Sequence, residues 1–185
     1  LFAPPGVTAE SAGGMLNSLR ALNAETLVIT DDGNPDMREA PERKLTLTDV
    51  VRERFGIEST LATCTQVHGV HVQRAIREGS SITQWRECDS CDALWSDEPH
   101  VSLGIKIADC LPVALVDPAH VVLANAHSGW RGAAQGITGA TIDALARETA
   151  FDPQTAFAYL GPSIRVCCFE VGEEVASQFE ERYID

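Results

Sequence analysis

Cys110 and His127 stand seventeen residues apart, each at the end of a strand-like apolar run. Cys110 lies in Ile107-Ala108-Asp109-Cys110-Leu111-Pro112-Val113, and His127 in Asn125-Ala126-His127-Ser128-Gly129-Trp130-Arg131-Gly132. Between them, Asp117-Pro118-Ala119-His120 carries type I turn chemistry, with aspartate first and proline second. If that turn joins two antiparallel strands, Val116 opposes Val121 and Cys110 opposes His127. Directly opposed side chains share a face, with Cβ atoms roughly 4.5–5.5 Å apart. Such a separation suits two ligands of one metal ion, or a thiol beside its base.

Thr65-Gln66-Val67-His68-Gly69-Val70-His71 offers a third group. His68 is the better choice, because Gly69 lets the chain bend there, while His71 falls in the next strand. His68, Cys110 and His127 supply two nitrogens and one thiolate. Three protein ligands with an open fourth position is the pattern of catalytic zinc. Zinc of this kind lowers the pKa of water and polarises a substrate oxygen. The set also describes a blue-copper site, which usually adds an axial methionine. Met15 and Met37 are the only methionines, both in an irregular N-terminal region, so zinc is preferred over copper. A dyad with Cys110 as nucleophile and His127 as base stays open.

Asp109 adjoins Cys110 and fits a base, or a carboxylate that orients a histidine ligand. Arg131, in the Gly-Trp-Arg-Gly turn, is a fork donor suited to an anion. Arg165, in Gly161-Pro162-Ser163-Ile164-Arg165, follows a strand and leads towards a helix, so it is a second anion candidate. Cys88-Asp89-Ser90-Cys91 is a lone CxxC, weak evidence for zinc or redox chemistry. Adjacent Cys167 and Cys168 are not expected to bridge each other. Six cysteines in a chain of this length read as free thiols in a reducing cytoplasm.

These residues need strands and helices to carry them. Strands are expected at Glu25–Thr30, 60–67, 70–76, 101–107, 112–116, 121–126 and Thr155–Leu160. Helices are expected at Thr46–Phe55, 133–150 and Val171–Tyr183, from apolar spacing at three and four residues. Thr46 and Asp49 fit a capping box, and Gly56 an end. Gly136 and Gly139 weaken the start of the second helix. Polar stretches at 31–42 and 77–91 read as loops. Helices and strands mix without strict alternation, which gives an α+β class with a mixed sheet.

The 185 residues suit one domain with an ordinary core. Fourteen basic residues against 27 acidic ones give a net charge of −13. Such a surface repels nucleic-acid backbones and anionic lipid, so neither is an expected partner. No apolar run approaches the ~20 residues of a membrane span.

The pieces TQVHGV at 65–70, CDALWSDEP at 91–99, ADCLPVALVDP at 108–118, NAHSGWRGAAQGI at 125–137 and GPSIRVCCFEVGEEV at 161–175 resemble the YfiH family. That family is also called the laccase-domain or polyphenol oxidase family. The likeness runs in order over 61–180 and implies a mixed-sheet sandwich with flanking helices. It implies zinc on His68, Cys110 and His127. It further implies a purine nucleoside phosphorylase using adenosine, inosine or methylthioadenosine with phosphate, which also deaminates adenosine. Cys110, Asp109 and Arg131 are then the expected catalytic residues, and Arg131 and Arg165 the substrate-binding ones. The older laccase label implies instead a copper-dependent polyphenol oxidase. Links of bacterial members to peptidoglycan precursors give the Cys–His dyad an amide substrate. A zinc-binding module without turnover is the non-enzymatic reading.

The expectation for the whole chain is one YfiH-like domain over 1–185, divergent at its N-terminal end and truncated at its C-terminal end. Ser11-Ala12 precedes Gly13-Gly14 where the family has an arginine. Ser18-Leu19-Arg20 stands where it has an asparagine-containing segment.

Overall fold

The computed structural model of the protein describes residues 27–30, 43–46, 59–77 and 85–183. The chain divides into two compact units, Leu1–Ser59 and Thr60–Asp185. In the first, strands β1 (Leu27–Thr30) and β2 (Arg43–Thr46) pair in parallel. Thr46 therefore ends a strand rather than opening a helix. The remainder of that expected helix, the loop at 31–42 and the N-terminal segment before β1 lie outside the described residues.

The second unit carries every candidate site residue. Its strands are β3 (Thr60–Cys64), β4 (Val72–Arg74), β5 (Trp85–Cys88), β6 (Ala93–Ser96), β7 (Val101–Leu103), β8 (Leu111–Asp117), β9 (Val122–Ser128) and β10 (Phe157–Leu160). They form a five-stranded sheet in the order β10-β8-β9-β6-β4 and a three-stranded sheet in the order β5-β3-β7. Pairings β3–β5, β3–β7 and β4–β6 are parallel, while β6–β9, β8–β9 and β8–β10 are antiparallel. The mixed α+β class is the observed one. The helices are α1 (Trp130–Gln135), α2 (Ile137–Glu148) and α3 (Glu173–Tyr183). Among the described residues, no helix is long and apolar enough to cross a membrane.

β6 explains the layering. All four of its residues are buried. Ala93 and Trp95 join a core with Val113, Leu115, Ala124, Ala126, Ile137, Leu145 and Phe151, between the large sheet and α2. Leu94 points the other way, into a second core with Ala62, Cys64, Cys88 and Val101 from the small sheet and Cys91 from the β5–β6 connection. A strand buried on both faces shows no polar alternation, so β6 is not among the sequence expectations. β5 likewise lies inside the stretch expected to be a loop. The helix expected at 133–150 is two helices. Gly136 takes φ +85°, in the left-handed region, and breaks it there.

The β8–β9 hairpin corrects the expected register by two residues. Val116 opposes Leu123 rather than Val121, and His127 opposes Pro112 rather than Cys110. The connection takes four residues, 118–121, because Val121 adopts φ +56° and adds a left-handed step before β9 begins. A shift of two keeps side chains on the same face. Cys110 and His127 are thus diagonal neighbours instead of a direct pair, and the face they share is unchanged.

Asp117 holds that turn and is fully buried. Its carboxylate accepts the amides of Ala119 at 3.1 Å and Asp152 at 2.9 Å, and meets Nδ1 of His120 at 2.7 Å. The Asp152 amide, outweighing burial together with His120, holds the carboxyl below the usual carboxylate range. A carboxyl lowered on folding contributes stability above its unfolded value of about 3.9, and that contribution is lost as pH falls through the folded value. Thermal melts of Asp117→Asn against the parent should therefore show a deficit at pH 7. The gap should narrow below about pH 4. A gap that stays constant with pH would contradict this role.

Candidate metal centre and adjoining cleft

Three chain segments end at one place. β9 delivers His127, the residue before β8 is Cys110, and the loop after β3 carries His68. Their ligand atoms all lie within 4.8 Å of one another. His127 is 3% exposed, Cys110 is half-buried and His68 is exposed, so the group opens on one side. The rings of His68 and His127 meet edge to face, with centroids 4.8 Å apart. The three candidates are thus brought together as expected, whereas His71 turns away and its Nδ1 meets the Ser90 carbonyl at 3.0 Å.

Asp92 organises this group, and the sequence reading did not single it out. It sits just before β6 and is fully buried. Its Oδ1 lies 2.8 Å from Nδ1 of His127 and accepts the His68 amide at 2.9 Å. Its Oδ2 accepts the amides of Gly69 at 2.7 Å and Val67 at 3.2 Å. One carboxylate therefore fixes the imidazole of one ligand and the backbone of another. The second is the harder task, because His68 takes φ +62°, a conformation costly for a residue with a side chain. Burial pushes the Asp92 carboxyl up, but His127 and the three amides outweigh it and hold it below the usual range. With Nδ1 of His127 engaged, Nε2 is the nitrogen free to bind a metal. The sequence signal was the Asp-Ala-Leu-Trp run within a quoted motif, an acidic residue directly ahead of a buried strand.

Gln66 pins the same loop from its other side. Its side-chain amide donates to the Lys106 carbonyl at 2.7 Å and accepts the Lys106 amide at 2.8 Å. Gly129 then leaves room for the ligands. A Cβ there would lie 2.8 Å from Cδ2 of His68, 3.2 Å from Sγ of Cys110 and 3.4 Å from Cε1 of His127. A soft thiolate, two imidazoles, a carboxylate orienting one of them, and clear space between them fit a metal such as zinc. Burial, with Asp109 and Asp92 nearby, pushes the Cys110 thiol up.

Cys110 also borders a cleft of about 430 Å³. Its wall is largely aromatic and aliphatic, with Leu111, Trp130, Ile164, Phe169 and Phe179, and carries Asp109, Ser128 and Ser163 as polar groups. Asp109 is thus on the cleft wall beside Cys110, and its carbonyl accepts the Ile164 amide at 2.9 Å. Arg131 stands at the start of α1, with its guanidinium 4.3 Å from the centre of the Trp130 ring. Arg165 is exposed in the segment between β10 and α3. Neither arginine is among the residues that line the cleft.

A model of the family described as multi-copper polyphenol oxidoreductase laccase matches residues 34–185. A protein of Pseudomonas aeruginosa named purine nucleoside phosphorylase is 35% identical over 173 residues, covering 94% of this chain and 62% of that one. A protein named adenosine deaminase, from an unknown prokaryotic organism, is 35% identical over 97 residues, covering 52% of this chain and 37% of that one. Among solved structures, the YfiH protein of Bacillus licheniformis superimposes with a TM-score of 0.66 at 25% identity, covering 74% of this chain and 52% of that one. The chain spans about half the length of the relatives it matches.

Proposed function

The chain belongs to the multi-copper polyphenol oxidoreductase laccase family, and from that premise we propose a zinc-dependent purine nucleoside phosphorylase that also deaminates adenosine. The observation that carries this reading is the shared wall: Cys110 belongs both to the His–Cys–His group and to the apolar cleft. A flat, largely apolar base suits a cleft faced by Trp130, Phe169 and Phe179. Zinc on His68, Cys110 and His127 would supply Lewis acidity toward a substrate oxygen or water.

The chain's own residues then divide the work. Asp109 takes the proton of the water that attacks adenosine, as ammonia leaves and inosine forms. For phosphorolysis, Arg131 holds the phosphate that joins the ribose carbon as the base departs, with Arg165 as a second contact. The planar fork of arginine suits a phosphate, and its ring partner Trp130 limits its motion. Free thiols throughout suit a reducing compartment such as the cytoplasm.

Zinc-loaded protein given inosine and phosphate should release hypoxanthine, and given adenosine should release ammonia. His127→Ala should lower both rates by about 100-fold or more, since loss of a mere partner of a ligand already costs about 10–100-fold. No hypoxanthine from the zinc-loaded parent would end the phosphorylase reading. One geometric fact favours a second reading. Cys110, His127 and Asp92 stand in the order of a thiol–imidazole–carboxylate triad, which suits an amide hydrolase acting on peptidoglycan precursors. Chelation separates the two, because it abolishes the zinc chemistry and spares or releases a thiol nucleophile.

A further inference from the structure

Cys167 and Cys168 have no role in the reading above, and both are exposed. Neighbouring side chains normally diverge, by about 100° around a helix and 180° along a strand. Here they converge, with Sγ atoms 3.2 Å apart. A tight turn is the cause. The amides of Cys168 and Phe169 both donate to the Arg165 carbonyl, at 2.9 and 3.1 Å, and fold 165–169 back on itself. Val166, at its tip, is 97% exposed. Phe169, the next residue after the pair, is part of the cleft wall.

We propose that Cys167 and Cys168 are a thiol–disulfide switch at the rim of the cleft, set by low-molecular-weight disulfides of the glutathione type. In the first step one thiolate attacks the small disulfide, forming a mixed disulfide and releasing one small thiol. In the second, the neighbouring thiolate attacks the protein sulfur of that mixed disulfide and releases the other small thiol. The pair loses two electrons and two protons, and the small disulfide gains them. Adjacent Cα atoms are held about 3.8 Å apart, short of the 4.4–6.8 Å usual for disulfides, so the ring is strained. Strained, exposed disulfides are the readily reduced ones, which makes the change reversible. Closing the ring redirects both side chains and disturbs the turn that holds Phe169. The other thiols do not compete. Cys64, Cys88 and Cys91 are at most 3% exposed, and Cys110 is engaged when metal is bound.

The test uses the metal-loaded protein, fully reduced and then exposed to oxidised glutathione. The protein is then unfolded with chelator, remaining thiols are alkylated and the peptides weighed. The expected product is the 161–175 region lighter by two hydrogens, restored by excess reduced glutathione, with the other four cysteines alkylated. Phenylarsine oxide, which bridges paired thiols with loss of water and no redox change, should bind once to the parent and not to Cys168→Ser. Tryptophan emission, to which Trp130 on the cleft wall contributes, should change on oxidation of the parent but not of Cys167→Ser. A persistent glutathione adduct without ring closure would overturn the proposal. So would two freely alkylated thiols, or a bridge to Cys110.

Discussion

Asp92→Asn should weaken zinc binding by about 10–100-fold, the range found when the partner of a metal-bound histidine is lost. The expected loss is at the upper end, because Asp92 serves two ligands and not one. Its carboxylate meets Nδ1 of His127 and accepts the amides of Val67, His68 and Gly69. An asparagine has one acceptor oxygen for these four groups, and its amide hydrogens would face donors. Each buried donor left unpaired costs about 1–3 kcal/mol. The loop also loses the contacts that hold His68 at φ +62°, and the imidazole of His127 is no longer confined to one tautomer. Competition titration with a coloured chelator measures the affinity, and nitrogen NMR of His127 in metal-free protein measures the tautomer. Unchanged affinity with an unchanged tautomer would remove Asp92 from the centre.

Gly129→Ala is a more selective probe. Gly129 has φ −68° and ψ 162°, extended backbone that alanine adopts without strain. The nearest atoms to the added methyl belong to the three candidate ligands, 2.8 Å away at His68, 3.2 Å at Cys110 and 3.4 Å at His127. Overpacking of this kind costs about 1–3 kcal/mol, which as binding energy is about 5- to 150-fold in affinity. Because His68 is exposed and can swing outward, the cost should fall on metal binding and leave the melting temperature of the metal-free protein nearly unchanged. A fall in metal-free stability with intact zinc affinity would mean that the space beside Gly129 is packing and not a ligand cradle.

What the sequence disclosed follows from where each residue sits. His68, Cys110 and His127 all stand where an apolar strand pattern stops, and their side chains name their chemistry. The face shared by Cys110 and His127 was legible, because alternation along strands fixes it. Their register was not. It depends on Val121 in a left-handed conformation, which nothing in a β-branched residue announces. Asp92 was hidden for a different reason. It precedes β6, buried on both faces, so the run Ala93-Leu94-Trp95 has no alternation to mark a strand. The aromatic wall was likewise out of reach, because Trp130, Phe169 and Phe179 come from three separate segments that meet only in the folded chain.

The central claim is a zinc ion on His68, Cys110 and His127, and anomalous diffraction from crystals of the protein as purified tests it most directly. The expected result is one peak with zinc-edge wavelength dependence, about 2.0–2.1 Å from a ring nitrogen of His68 and from Nε2 of His127, and about 2.3 Å from Sγ of Cys110. A peak with the wavelength dependence of copper, a peak at Cys88 and Cys91 instead, or no peak beside Gly129 would contradict it.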